Sequence, residues 1–186
     1  MLSSTDIRKA LKAGDLVIDP LFKGSVRPAG LRLHLGETLL KPLPGKIVDV
    51  KNNIAPDYQE IKITLDKPYR LEPSEFLLAA TYEKVSVGAD LGFLIEGRST
   101  LARVGLTVVQ TAMLVYPGHT QRAVTLELAN HGPNTILLYP KMKIARVALI
   151  RLSTATEELY DLNGKYREQE DVGAPVFVDE IVEELE

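Results

Sequence analysis

The dominant pattern in the chain is alternation. In "LRLHLG" (31–36), Leu31, Leu33 and Leu35 share one phase while Arg32 and His34 share the other, which predicts a strand with one buried and one outward face. The β-rich runs "LVIDPLF", "KIVDV", "EIKITL", "EFLLAATYEKVSV", "GFLIEG", "LTVVQTAMLVY", "RAVTLELAN", "TILLYP" and "KIARVALIRL" predict further strands, punctuated by Gly, Pro and Asn. Only the front of the chain reads otherwise. "SSTDIRKALKAG" predicts a short helix over about 1–14: Ser3 or Ser4 caps it, Asp6 lies in its first turn, Ile7, Ala10 and Leu11 share a face, and Gly14 ends it. Many short strands behind one helix predict a mainly β domain, either a sandwich, a jelly roll or a barrel.

The chain has 186 residues, enough for one domain with a substantial core, so a single domain over 1–186 is expected. The formal charge of -3 supplies no basic field, which argues against a nucleic-acid partner. No apolar run approaches the roughly 18 residues that cross a bilayer, and the front is too charged for a signal peptide. No membrane partner and a cytoplasmic location are expected. Cysteine is absent, which removes disulfides and thiolate chemistry, and His34, His119 and His131 lack metal-ligand spacing.

Three places carry candidate chemistry. In "IEGRSTLARVGL" (95–106), Arg98, Ser99, Thr100 and Arg103 interrupt residues that otherwise read as buried. Either these arginines pair with surface carboxylates at a strand-to-helix turn, or they converge on an anion such as a phosphate. In "AVTLELAN", Val124, Leu126 and Leu128 alternate with Thr125, Glu127 and Ala129. Glu127 is a solvated residue if that second face meets water and a candidate general base if it lines a pocket. The polar stretch over about 158–186 contains Tyr160, Lys165, Tyr166, Arg167 and Gln169, and reads either as a loose terminus or as a lid that orders on binding.

"LEPSEFLLAATYEKVSVGADLGFLIEGRSTLARVGLTV", followed in order by "TAM", "VTLELAN", "ILLYPKMKIARVAL" and "GKYREQ", resembles the dCTP deaminase family of the trimeric dUTPase superfamily. The likeness extends from the opening helix through "GKYREQ". It implies a distorted jelly-roll or β-barrel protomer of the dUTPase-like type, a homotrimer, and active sites between subunits. It also implies zinc-independent hydrolytic deamination of dCTP to dUTP and ammonia, in agreement with the lack of the H-x-E and P-C-x-x-C ligands of zinc deaminases. By that resemblance Glu127 activates a water held by Ser99 and the main-chain carbonyl of Ala112, and Arg103 supports the glutamate. Arg98, Thr100, Lys165 and Gln169, together with Tyr160, would hold the triphosphate as its magnesium complex under the tail. The resemblance adds dUTP and dTTP as further nucleotide partners.

The chain departs from the family pattern twice. Arg32 stands in "AGLRL" where the superfamily usually has an acidic residue, and Tyr116 stands where an aspartate usually meets the sugar. From Thr111 through Leu126 there is no carboxylate, and the stretch leading to Glu127 is one residue longer than usual, which predicts a register shift or bulge. Loss of both acids argues against diphosphohydrolysis, which needs a positioned base and carboxylate-supported metal. Tyr116 either stacks under a sugar or closes the pocket. Three readings follow: a dCTP deaminase, a dUTP diphosphatase or bifunctional deaminase-diphosphatase, and a non-catalytic nucleotide-binding relative.

Overall fold

Two long strands organise the structure. The computed structural model describes residues 1–178 and residue 180. The tail expected over 158–186 is therefore covered only in part, and residues 179 and 181–186 lie outside the described residues. In chain order the elements are α1 (Ser4–Ala13), β1 (Leu16–Asp19), β2 (Val26–Arg27), β3 (Gly30–Pro42), β4 (Tyr58–Lys62), β5 (Tyr69–Leu71), β6 (Phe76–Val87) and β7 (Leu91–Gly97). They continue with α2 (Ser99–Ala102), β8 (Leu106–Thr107), β9 (Leu114–Val115), β10 (Arg122–Asn130), β11 (Ile136–Leu138), β12 (Lys143–Arg151) and α3 (Tyr160–Asn163). The mainly β class with a short N-terminal helix is what the chain adopts.

Ten strands form one antiparallel sheet with the path β8-β10-β6-β3-β12-β7-β9, while β11 and β5 form a separate pair. Strand β3 is shared between two parts of this sheet. Its first half pairs with β12, Arg32 opposite Arg146, and its second half pairs with β6 and β4. A single strand serving two sets of partners curls the sheet into a half-barrel around a core that includes Leu31, Leu33, Leu35, Leu39, Leu77, Phe93, Leu126 and Leu149. Each such side chain contributes about 1.5–3 kcal/mol relative to exposure. Gly30 marks a close approach of β3 to β12, since a Cβ there would lie 2.3 Å from the Val147 carbonyl oxygen.

Helix α1 starts and stops as its sequence predicts. The Ser3 hydroxyl accepts from the Asp6 amide, Gly14 takes the left-handed conformation, and Ile7 and Ala10 are buried. Other expectations change under tertiary influence. "KIVDV" is not a strand: only Asp49 bridges to Ile54, and Ile47 is 87% exposed. "LTVVQTAMLVY" divides into β8 and β9, which pair with β10 and β7 respectively, so one apolar run serves two edges. His34, in phase with Arg32, is nevertheless buried. Its Nδ1 lies 2.5 Å from Glu83 Oε1, and its amide donates to Glu83 Oε2. That partnership compensates the desolvation of both groups. A register irregularity does fall between Ala123 and Thr125 of β10, but its surplus residues lie in β6 and not in the stretch leading to Glu127, where the extra residue was expected. Among the described residues no helix is long and apolar enough to cross a membrane.

Candidate active site

Strand β10 forms one wall of a cavity of about 820 Å³. Thr125 and Glu127 reach it from that strand, Phe76 and Leu78 from β6, and Ala112, Leu114 and Tyr116 from the segment around β9. The face opposite Val124, Leu126 and Leu128 therefore lines a pocket, the condition under which Glu127 is a candidate base. Its Oε2 accepts from the Gln110 amide at 2.8 Å, and its own amide donates to the Val108 carbonyl at 3.0 Å. The carboxylate is thus held by the loop leading to Ala112, which fixes its direction without pairing it to a cation among the described residues.

The tail closes the cavity from the other side. Tyr160, Lys165 and Gln169 line it, as do Tyr166, Gly173 and Pro175. Several attachments hold the tail down. The Tyr160 amide donates to the Pro117 carbonyl, Gln169 Nε2 donates to Thr125 Oγ1 at 2.8 Å, Thr38 Oγ1 donates to Asp171, and Arg122 pairs with Asp161. Arg122 also donates to the Arg167 carbonyl and lies over the Tyr160 ring, 5.6 Å from its centroid. Burial tends to raise the Asp161 carboxyl, but the Thr120 hydroxyl and the Arg122 guanidinium outweigh it and hold Asp161 below the usual carboxylate range. Burial pushes the neighbouring His119 imidazole below its ordinary value. Tyr116 stacks on Tyr160, with ring centroids 6.4 Å apart and planes 10° apart, so it joins the tail at the pocket rim. Lys165 pairs with Glu180 at the same rim.

The second expected group lies elsewhere. Arg98, Ser99, Thr100 and Arg103 surround the short helix α2 and do not line the cavity within one chain. Ser99, Thr100 and Arg103 are exposed, and Arg98 Nη1 donates to the Lys143 carbonyl at 2.7 Å. The strand-to-helix turn is there, but no ion pair joins Arg98 or Arg103 to a carboxylate among the described residues. One chain thus brings Ala112, Tyr116, Glu127, Tyr160, Lys165 and Gln169 together and leaves the α2 residues apart.

The family pattern described as dCTP deaminase-like matches residues 1–152. The chain belongs to the dCTP deaminase-like family. A relative from Methanosphaera stadtmanae, named "dCTP deaminase, dUMP-forming", is 33% identical over 177 residues, covering 91% of this chain and 89% of its own. A relative of the same name from Methanopyrus kandleri is 35% identical over 182 residues, covering 91% of this chain and 92% of its own. The crystal structure of 2'-deoxycytidine 5'-triphosphate deaminase from Agrobacterium tumefaciens superposes with a TM-score of 0.63 at 16% identity over 82% of this chain, which shows a common fold. This chain spans about half, 48%, of that crystallised chain.

Within this dCTP deaminase-like chain, Arg122 and His119 line the cavity while Asp161 and Gln110 hold lining residues in place, and none of the four stands out in the sequence as a candidate. Arg122 left one signal: it is a cation in the same phase as Val124, Leu126 and Leu128. Asp161 and Gln110 left none, because each acts through a partner distant in the chain. The charged neighbours that act on Arg98 are Arg32 and Arg146, and no three His, Cys, Asp or Glu side chains converge among the described residues.

Proposed function

We propose that the protein deaminates a cytosine deoxynucleotide, converting dCTP and water to dUTP and ammonia. The observation that carries this reading is Glu127, fixed by the Gln110 amide on the wall of a cavity of about 820 Å³ and facing a tail rich in donors. In the proposed reaction the water oxygen bonds to C4 of cytosine while Glu127 takes its proton. The carboxyl passes that proton to N3, which takes the C4=N3 electron pair; the carboxylate then carries the proton of the new C4 hydroxyl to the amino group as the C4–N bond breaks, so ammonia leaves and C4 keeps a carbonyl oxygen. No zinc enters these steps, and the chain has no cysteine to supply thiolate ligands.

The carbonyl of Ala112 holds the water from the Glu127 side. Ser99 and Arg103 complete the site from a second copy of the chain in a homotrimer, which accounts for their exposure within one protomer. Arg98 and Thr100 of that copy bind the triphosphate, with Lys165, Gln169 and Tyr160 of the tail above it. The relatives' names, which specify dCTP, support this substrate.

Those names also say dUMP-forming, which favours a second reading in which pyrophosphate release follows deamination. The absence of any carboxylate from Thr111 through Leu126 favours deamination alone. The deciding experiment incubates the protein with dCTP and with dUTP in magnesium and separates nucleotides, ammonia and pyrophosphate. Formation of dUTP and ammonia is expected. Formation of dUMP and pyrophosphate replaces the first reading with the second, and binding without any product overturns both.

A further inference from the structure

We propose that Arg32 and Arg146 join Arg98 in a three-guanidinium site that takes the polyphosphate of a nucleotide directly, without a cation held by the protein. The inference rests on the nucleotide reading above but adds Arg32 and Arg146, which that reading leaves unused. Arg32 on β3 and Arg146 on β12 lie opposite one another in strand register, and the Arg146 backbone lies opposite that of Glu96 on β7, with no ion pair between those two side chains. The flanking Leu31, Leu33, Ala145 and Val147 are buried, so this row projects from the outer face of the sheet. Arg98 follows β7 and is anchored from one side by its bond to the Lys143 carbonyl.

Three cations in one place need an anion. The Nε atoms of Arg32 and Arg98 are both buried and have no hydrogen-bond partner. Each is a donor removed from water without compensation, an arrangement that costs stability unless something accepts from it. No carboxylate forms an ion pair with Arg32, Arg98 or Arg146 among the described residues. Burial first, then the like charges of Arg32 and Arg146, lower the pKa of the Arg98 guanidinium, as expected for neighbours that lack a counter-ion. Guanidinium forks match phosphate oxygens bidentately, and a polyphosphate offers enough charge and acceptors for three of them. The exposed hydroxyls of Ser99 and Thr100 extend the same donor surface. A single carboxylate from a second copy would satisfy at most part of this set.

The test uses the Glu127→Gln protein, which is expected to bind without turnover. Affinities for dCTP, dCMP and inorganic tripolyphosphate are measured by calorimetry in magnesium and in EDTA. Arg32→Gln and Arg146→Gln are each expected to weaken dCTP and tripolyphosphate roughly ten- to hundred-fold while changing dCMP by less than about three-fold. Arg32→Lys should recover part of the loss, and dCTP binding should persist in EDTA. Sedimentation and thermal melting of the same variants separate this effect from assembly or folding. The proposal is overturned if the dCTP-to-dCMP preference survives both substitutions, if EDTA abolishes dCTP binding, or if the variants lose affinity only by losing the oligomer. Arginine-dependent binding by an otherwise wild-type protein that never turns over dCTP would sink the deaminase reading and leave this one standing. Turnover with no arginine dependence would do the reverse.

Discussion

Arg122 at the start of β10 and Asp161 in α3 form an ion pair that ties the tail to the strand carrying Glu127. The Arg122 side chain is 10% exposed and that of Asp161 is 32% exposed, so the pair is partly shielded from water and anchors better than a surface pair. Arg122 is stacked by Tyr160 and bonded to the Arg167 carbonyl as well, so one guanidinium holds three points of the tail.

Asp161→Asn should therefore loosen the tail without unfolding the sheet. The cost to docking is about 1–3 kcal/mol, because the Arg122 cation remains buried with a weaker partner. Limited proteolysis should cut the tail faster in the variant, while the melting temperature of the sheet shifts little. Equal cleavage rates would mean that the pair does not anchor the tail.

Gly118 gives a second route to the same contact. Its φ is 78°, and a Cβ at that position would lie 2.6 Å from the Leu159 Cβ and 3.0 Å from the Tyr160 amide nitrogen. Gly118→Val should displace the tail from the Pro117 carbonyl at a cost above about 1 kcal/mol, from both the clash and the left-handed backbone. The readout is amide exchange at Tyr160, which should accelerate in the variant and would stay protected if the loop can rearrange.

His119 sets the pH dependence of this region. Burial depresses its folded-state pKa below the ordinary 6.5, so the unfolded chain binds the extra proton more readily. Stability is fully present above about pH 6.5, declines as pH falls from there toward the depressed value, and levels off below it. Asp161 also has a depressed pKa, so its contribution is present above the ordinary carboxylate value of 3.8 and is lost only at lower pH. Denaturant titrations of wild type and His119→Gln between pH 5 and about pH 8 should show a slope in the acidic half that the substitution removes. Parallel slopes would place the titration elsewhere.

Glu127 and Arg103 should complement across copies. Glu127→Gln is expected to lower the rate of ammonia release at least about a hundred-fold while nucleotide binding persists. Arg103→Ala is expected to be similarly impaired. If each site takes Glu127 from one copy and Arg103 from another, random mixing of the two variants restores about one quarter of the sites. Mixed protein that stays inactive would place both residues in one copy or show that the copies do not exchange, and sedimentation of tagged mixtures distinguishes these cases.

Local pattern in the chain specifies where most strands lie, how the opening helix is capped, and that residues 95–106 carry polar groups out of place in an apolar run. These are local properties: a period of two, a capping serine followed by a left-handed glycine, a glycine next to a cation. It also placed Glu127 in the phase opposite Val124, Leu126 and Leu128. Whether that phase met water or a pocket depended on β6, the loop through Gln110 and a tail more than 30 residues further along the chain. Folding settled that question. The same holds for "KIVDV", whose apolar residues found no sheet edge, for His34, buried because Glu83 lies opposite, and for Arg122, whose meaning rests on Asp161. Periodicity specifies which side chains share a face. What covers that face is fixed by contacts between distant segments, which no local pattern encodes.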